Sequence, residues 1–205
     1  HMLPRNITPK DIGDYKRLRG KTAKVAANRE KSLLSHVYTM ALEWGDVERN
    51  PCKGISRFPE KPRYRYIEDH EYQKLYNAAS PMIQCAMDIS YLTGLRLGDI
   101  LKIQHSDIKA DGFYIIPEKT AKKAHKKIVF DLTPDLKRVL TRTKYLPKHN
   151  LNVKYLFRNR KGKPYTVSGF ESIWQKVKKK TNIEEVRFHD IRAKAGTDKK
   201  RQGGD

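Results

Sequence analysis

Two short runs of β-branched and aromatic residues limit the folds that this chain can adopt. GFYII at 112–116 and KIVFDL at 127–132 are separated by a lysine-rich stretch, which predicts an antiparallel hairpin with a long basic turn. Elsewhere the apolar residues recur at the spacing of amphipathic helices. The sequence therefore predicts a mainly α fold with one small antiparallel β-sheet (α+β).

Capping residues, prolines and glycines predict the helix boundaries. The predicted helices span 8–18, 22–45, 68–79, 81–93, 98–103, 133–145, about 167–180 and 188 onward. In the second helix, one packed apolar stripe is predicted from Leu33, Leu34, Val37, Met40, Ala41 and Trp44. A short additional strand is predicted at 155–157.

A basic segment with two prolines divides the chain. RFPEKPRYRY at 57–66 has little apolar content, as is typical of an extended linker. We predict a small helical domain at 1–57, a basic linker at 58–66 and a second domain at 67–205. Both ends of the sequence lead us to expect a piece cut from a longer protein.

The charge of the chain indicates a polyanionic partner. The 44 Lys and Arg against 23 Asp and Glu give a net charge of +21, which favours nucleic acid or an anionic membrane surface. No apolar run is long enough to span a bilayer, and no basic amphipathic helix has a large exposed apolar face. We therefore expect a DNA-associated cytoplasmic protein with no membrane contact. The two cysteines, Cys52 and Cys85, lie far apart and are expected to be small buried side chains.

The predicted hairpin turn concentrates positive charge. Five lysines and one histidine lie among the nine positions 119–127. Such a turn can enter a groove and contact phosphates, although a charged turn can also simply protect a sheet edge. The residues predicted to contact DNA are Lys122, Lys123, Lys126, Lys127, Arg63 and Arg65.

Three separate segments carry residues suited to binding a phosphate. Arg96 lies in a glycine-flanked turn before a helix, with Asp99 three positions later, although Asp99 could also be an ordinary helix cap. His189 and Arg192 share a helix face, a spacing that is common by chance. Lys119 begins the basic turn and is not distinguishable on its own from its neighbours. Two arginines, a histidine and a lysine without a carboxylate cluster suggest phosphoryl transfer with no metal and no cofactor, lacking only a nucleophile.

Taken together, the three segments resemble the tyrosine recombinase or phage integrase family. TGLRLGDILKIQHSDI at 93–108 is similar to its first arginine motif, EKTAKK at 118–123 to its catalytic-lysine turn, and FHDIRAKAG at 188–196 to its His-x-x-Arg motif. They occur in the family's order, and the resemblance covers about 64–205. Residues 27–55 resemble the later part of the family's core-binding domain.

The resemblance implies a tyrosine-recombinase catalytic-domain fold preceded by a partial core-binding domain. It implies site-specific recombination of DNA through a 3′-phosphotyrosyl intermediate. Arg96 and Arg192 would contact the scissile phosphate, Lys119 would be the general acid, His189 would assist proton transfer, and Asp99 would support the site. The implied partners are double-stranded attachment sites and a homotetramer of the full-length protein, the fragment alone being monomeric.

The sequence departs from the family pattern in one respect. The family's nucleophilic tyrosine follows the His-x-x-Arg motif, whereas all eleven tyrosines of this chain precede His189. We therefore predict that the chain contacts DNA without cleaving it. The alternatives are a DNA-binding module that has kept the phosphate clamp but lost the chemistry, a type IB topoisomerase, and an RNA-binding or ribosomal protein.

Overall fold

The computed structural model describes residues 3–117, 127–146 and 154–203. The chain forms two compact units, His1–Tyr64 and Arg65–Asp205. Within the described residues, no helix combines the length and the apolar character needed to cross a bilayer. The division between the units falls inside the segment predicted as a linker.

The first unit contains a short 3-10 turn and two helices. The turn spans Pro4–Asn6, α1 spans Pro9–Gly20 and α2 spans Lys24–Glu43. Before α1, Thr8 and Asp11 form a capping box, because each side chain accepts a hydrogen bond from the other residue's backbone N–H. After α2, Gly45 takes a left-handed conformation with φ of 80° that ends the helix. A small core joins these elements and consists of Ile12, Tyr38, Val47 and Cys52.

The apolar stripe predicted for α2 is only partly packed. Leu34 and Ala41 lie against the small core, but Leu33, Val37 and Trp44 are 66%, 53% and 69% exposed. The prediction was wrong for these three residues. With α1 as its neighbouring helix, α2 buries a different face, which carries Ala27, Asn28 and Tyr38.

Phe58 holds the segment that follows the first unit's core against α1 and α2. The Asn28 side chain accepts from the Phe58 N–H at 2.8 Å and donates to the Phe58 carbonyl at 2.9 Å. The Lys16 ammonium lies 4.6 Å from the centre of the Phe58 ring. A Cβ at Gly20 would lie 2.3 Å from that ring, so only glycine fits there. The first residues of the predicted linker are therefore packed on the first unit.

The second unit is mainly α, with one two-stranded antiparallel sheet. Its helices are α3 (Asp69–Ala78), α4 (Pro81–Thr93), α5 (Leu97–Leu101), α6 (Pro134–Thr143), α7 (Val167–Thr181) and α8 (His189–Arg201). The strands are β1 (Phe113–Ile115) and β2 (Ile128–Phe130), with Phe113 opposite Phe130. This confirms the predicted fold class and the paired strands; the turn at 118–126 lies outside the described residues.

The strand predicted at 155–157 does not form. Tyr155 and Arg158 each make only an isolated bridge, to Gln104 and Pro164 respectively. Leu156 and Phe157 are both buried, whereas successive side chains of a strand point to opposite faces. This segment, whose composition has high β-propensity, therefore forms a buried loop.

The core of the second unit surrounds α4, which contacts α6, α8 and α5. Ile83, Met87 and Ile89 of α4 have no exposed surface. The aromatic part of the core joins α7 to the start of α8, because Phe188 packs edge-on against Phe170 at 4.9 Å and Trp174 at 5.5 Å. Both cysteines are buried and unpaired, as predicted.

Candidate phosphate-binding site

The turn between α4 and α5 places Arg96. Helix α4 ends at Gly94, whose φ of 63° is a left-handed conformation that favours glycine. Leu95 is 4% exposed and anchors the turn in the core. Arg96 follows as the N-cap residue of α5, with a half-buried side chain. The glycine and the buried leucine thus fix where this guanidinium emerges.

Asp99 lies in the first turn of α5 and is 8% exposed. It lines a cavity of about 460 Å³ together with Lys102, Gln104 and residues of the hairpin. Across from this helix, the Val167 side chain at the start of α7 lies 3.9 Å from the Cβ position of Gly98. Asp99 therefore lies between the arginine turn and the hairpin.

The hairpin contributes Lys127 to the same cavity. Its ammonium lies 4.1 Å from the centre of the Tyr114 ring, and Lys109 lies 5.2 Å from that centre. The Tyr114 hydroxyl donates to Asp111, and this hydrogen bond raises the pKa of Tyr114 and lowers the pKa of Asp111. At the base of the hairpin, the ammonium groups of Lys109 and Lys127 therefore both contact the Tyr114 ring. The other predicted residues of this turn, Lys119, Lys122, Lys123 and Lys126, lie outside the described residues.

The start of α8 carries His189 and Arg192. Phe188 is 1% exposed and Ile191 is fully buried, so both hold the first turn of the helix against the core. The Asp190 side chain accepts a hydrogen bond from the Arg187 N–H at 2.8 Å. His189 is exposed and Arg192 is half-buried. At 100° per residue these two side chains share one face of the helix.

Helix α4 contacts both α5 and α8, the helices at whose first turns Arg96 and Arg192 lie. Within the described part of the chain, the side chains of Arg96, His189 and Arg192 have no hydrogen-bond or ion-pair partner. A guanidinium group without a protein partner can bind a phosphate through two parallel hydrogen bonds. The arrangement is suited to neutralising a phosphodiester with fixed cations.

Arg63 and Arg65 fall in different units. Arg63 belongs to the first unit and Arg65 to the second. Arg65 donates to the Glu71 carboxylate at 2.5 Å and to the Tyr66 carbonyl. The ion pair raises the pKa of Arg65 and lowers the pKa of Glu71, which also accepts from the Glu68 N–H to cap α3. The structure thus gives Arg65 an internal role that the sequence did not indicate.

A second group of polar residues was missed by sequence reasoning. Lys194 of α8 is 2% exposed, and Asp198 lies one turn further along the same helix. Their spacing of four residues, on the same face as the buried Ile191, was an available signal. Tyr66 and Tyr91, which also bind Asp198, gave no such signal.

In the described parts of the chain, no three His, Cys, Asp or Glu side chains are grouped as metal ligands.

The family model described as the phage integrase family matches residues 65–205. The chain belongs to the phage integrase family. The integrase of Escherichia phage HK022 is 32% identical over 107 residues, which are 51% of this chain and 29% of that protein. The shufflon-specific DNA recombinase of Escherichia coli is 27% identical over 206 residues, which are 92% of this chain and 50% of that protein. This phage integrase family chain therefore spans half or less of the length of these two relatives.

The fold of the family is shared with a solved structure. A crystal structure of a lambda integrase dimer bound to a COC′ core site superposes with a TM-score of 0.81 and 21% identity. The similarity covers 99% of this chain and 74% of that chain. This confirms the predicted fold, a mainly α integrase architecture with a small antiparallel sheet.

Proposed function

We propose that this chain is the phosphate-binding part of a site-specific DNA recombinase. The observation that carries this proposal is the pair of arginines, Arg96 and Arg192, on segments packed against α4 and without protein partners within the described residues. Membership of the phage integrase family and the net charge of +21 support it. The phosphates of double-stranded DNA are the anions that the two arginines and the net positive charge would bind.

In the proposed reaction, the two guanidinium groups bind the non-bridging oxygens of the scissile phosphate. A tyrosine hydroxyl passes its proton to His189 and attacks phosphorus, a new P–O bond forms, and the bond from phosphorus to the 5′-oxygen breaks. Lys119 gives its proton to the departing 5′-oxygen, while His189 assists proton transfer and Asp99 supports the site. The arginines act most strongly as charge develops in the transition state. No metal or cofactor takes part in these steps.

We propose that the chain as printed binds DNA but does not cleave it. All eleven tyrosines precede His189, whereas the family's nucleophile follows that motif. Binding would extend to Lys122, Lys123, Lys126, Lys127, Arg63 and the part of Arg65 that its ion pair leaves exposed.

For the parent protein we propose double-stranded attachment sites as substrates and a homotetramer as the working assembly. A lambda integrase has been solved as a tetramer bound to a Holliday junction. The chain by itself would be monomeric and, in the cell, DNA-associated in the cytoplasm.

The test is duplex DNA binding by the purified chain at several salt concentrations. Affinity should fall steeply with salt, because phosphate contacts release counterions. Arg192→Gln should weaken binding by roughly tenfold, as expected when a bidentate contact worth about 1.5–3 kcal/mol is lost. No covalent protein–DNA adduct should be trapped on a nicked duplex.

The matched control is Arg138→Gln, which removes the same charge from an exposed arginine paired with Asp135 on α6. It should change affinity far less than Arg192→Gln does. Equal losses of affinity for the two variants, or an affinity that does not change with salt, would contradict the proposed phosphate site. A covalent adduct would contradict the proposed inactivity alone.

A second candidate is a DNA-binding module that kept the clamp without the chemistry, which the partner-free side chains of Arg96 and Arg192 within the described residues also fit. Strand cleavage by the parent protein separates the two candidates.

A further inference from the structure

Helix α8 is held in place by very little apolar surface. Of its thirteen residues, only Asp190, Ile191 and Lys194 are buried. Phe188, just before the helix, and Ile191 anchor the first turn of α8, whereas the later turns bury no apolar side chain and are held through Lys194 and Asp198. The rotation of α8 matters, because it decides where His189 and Arg192 point.

The interior face of α8 is organised around the Lys194 ammonium. Its side chain is 3% exposed; it donates to the Tyr66 hydroxyl at 2.9 Å and to the Asp69 carboxylate, and it forms an ion pair with the Asp198 carboxylate at 3.2 Å. These three partners equal in number the three N–H donors of an ammonium. Burial alone would lower the pKa of Lys194, but the hydrogen bonds to Asp69, Tyr66 and Asp198 raise it, and the group stays charged.

The acceptors come from different parts of the second unit. Tyr66 precedes α3, Asp69 is the first residue of α3, and Asp198 lies on α8 itself. Asp198 also accepts from the Tyr66 hydroxyl and from the Tyr91 hydroxyl of α4 at 2.8 Å. The cluster therefore ties α8 to the segment before α3, to the start of α3 and to α4.

Helical geometry places this cluster opposite the phosphate residues. At 100° per residue, Ile191, Lys194 and Asp198 fall within about 60° of one another around α8. His189 and Arg192 fall within about 60° of one another on the other side of the helix axis. A rotation that broke the Lys194 contacts would therefore turn His189 and Arg192 away from their present direction.

We propose that Lys194 is a positioning residue that sets the rotation of α8 and so aims Arg192 and His189 at the DNA phosphate. The inference rests on the proposed function and assigns Lys194 no contact with DNA. Lys194 acts through Arg192, so its effect on DNA binding should depend on Arg192 being present.

The experiment is a double-mutant cycle in the purified 205-residue chain, with duplex DNA affinity as the readout. Lys194→Met keeps the length of the side chain and removes the ammonium. We expect Lys194→Met to weaken binding about fivefold or more, and Arg192→Gln to weaken it about tenfold. The double variant should bind about as weakly as Arg192→Gln alone, since interacting residues are not additive.

The matched control is Lys199→Met, which removes an equal charge from an exposed position on the same helix. Its smaller loss should add to that of Arg192→Gln. Additive losses for Lys194→Met, or a folded Lys194→Met chain that binds like the wild type, would overturn the proposal. If Arg192→Gln itself binds like the wild type, the proposed phosphate site fails and the positioning role fails with it.

Tyr66→Phe keeps the test decisive if Lys194→Met does not fold. It removes one acceptor of Lys194 and one donor to Asp198, but retains the ring that lies 4.4 Å from the Arg201 guanidinium. Folded Tyr66→Phe should lose affinity by about twofold to threefold, and that loss should disappear in the Arg192→Gln background. An unchanged affinity would contradict the proposal.

Discussion

Helices α7 and α8 follow one another in the chain, yet they are held in different ways. Phe170, Trp174 and Val177 bury one apolar face of α7 in the core. Helix α7 also buries Lys178, but the ammonium of Lys178 donates to a backbone carbonyl, that of Glu184, at 2.6 Å. In α8, by contrast, the buried Lys194 contacts the side chains of Tyr66, Asp69 and Asp198. Apolar packing tolerates small shifts, whereas an ammonium with three specific acceptors accepts few orientations. The helix that carries the proposed phosphate-binding residues is therefore the one placed mainly by directional contacts between side chains.

The largest expected effect tests the apolar half of this comparison. Trp174→Ala removes a fully buried side chain that packs edge-on against Phe188. We expect a loss of about 3–5 kcal/mol in the free energy of unfolding, from lost burial and from the cavity left behind. Urea denaturation followed by circular dichroism measures it. A loss below about 1 kcal/mol would mean that α7 is not anchored by this side chain.

An intermediate effect tests the polar half through pH. Although burial acts to raise it, hydrogen bonds from Tyr66, Tyr91 and Lys194 lower the pKa of Asp198 below its ordinary value of 3.8. A lowered carboxyl pKa adds stability that is fully present above 3.8 and is lost as the pH falls through the folded-state value. Asp198→Asn should therefore cost about 1–2 kcal/mol at neutral pH and progressively less in acid.

The Trp174→Ala variant is the control for that pH series. Its loss of stability relative to the wild type should not change with pH in the acid range, because no titrating group is removed. A loss for Asp198→Asn that stays constant down to the acid limit would show that its charge does not hold α8.

The smallest expected effect comes from an exposed ion pair, which serves as the reference for the buried charges of α8. Arg138 and Asp135 form an ion pair on α6 with side chains 71% and 64% exposed. Asp135→Asn should change the free energy of unfolding by at most about 0.5 kcal/mol, because water and salt screen such pairs. Thermal unfolding at two salt concentrations measures this change. A cost comparable to that of Asp198→Asn would remove the distinction between a buried and an exposed charge.

Most of the second unit could be predicted from the sequence, because its local signals agree with its packing. Proline at the first position and glycine at the end delimit α4, and the predicted span of 81–93 is the observed one. The antiparallel pairing of the two strands also follows from their composition. Local patterns were sufficient where each element had one clear apolar face.

Prediction failed where the local pattern did not show which side of a segment packs against another element. Leu33, Val37 and Trp44 have helical spacing, but α2 buries the face that carries Ala27 and Tyr38. Residues 155–157 have strand composition but pack as a buried loop. Arg96, Asp99, His189 and Arg192 were named from short motifs, whereas the arrangement of the helices that carry them depends on contacts that no local pattern encodes.

The contacts of Tyr66 have a consequence for the order in which the second unit assembles. Tyr66 lies near the beginning of that unit and bonds to Lys194 and Asp198, which are 128 and 132 positions away. Contacts between such distant positions form slowly, because a long loop must close first. During synthesis the unit therefore cannot complete its closure until α8 has left the ribosome. In a nascent chain halted before Lys194, Tyr66 would lack its partners on α8, and the surface of α4 that contacts α8 would be uncovered. Proteases and chaperones would have access to that surface.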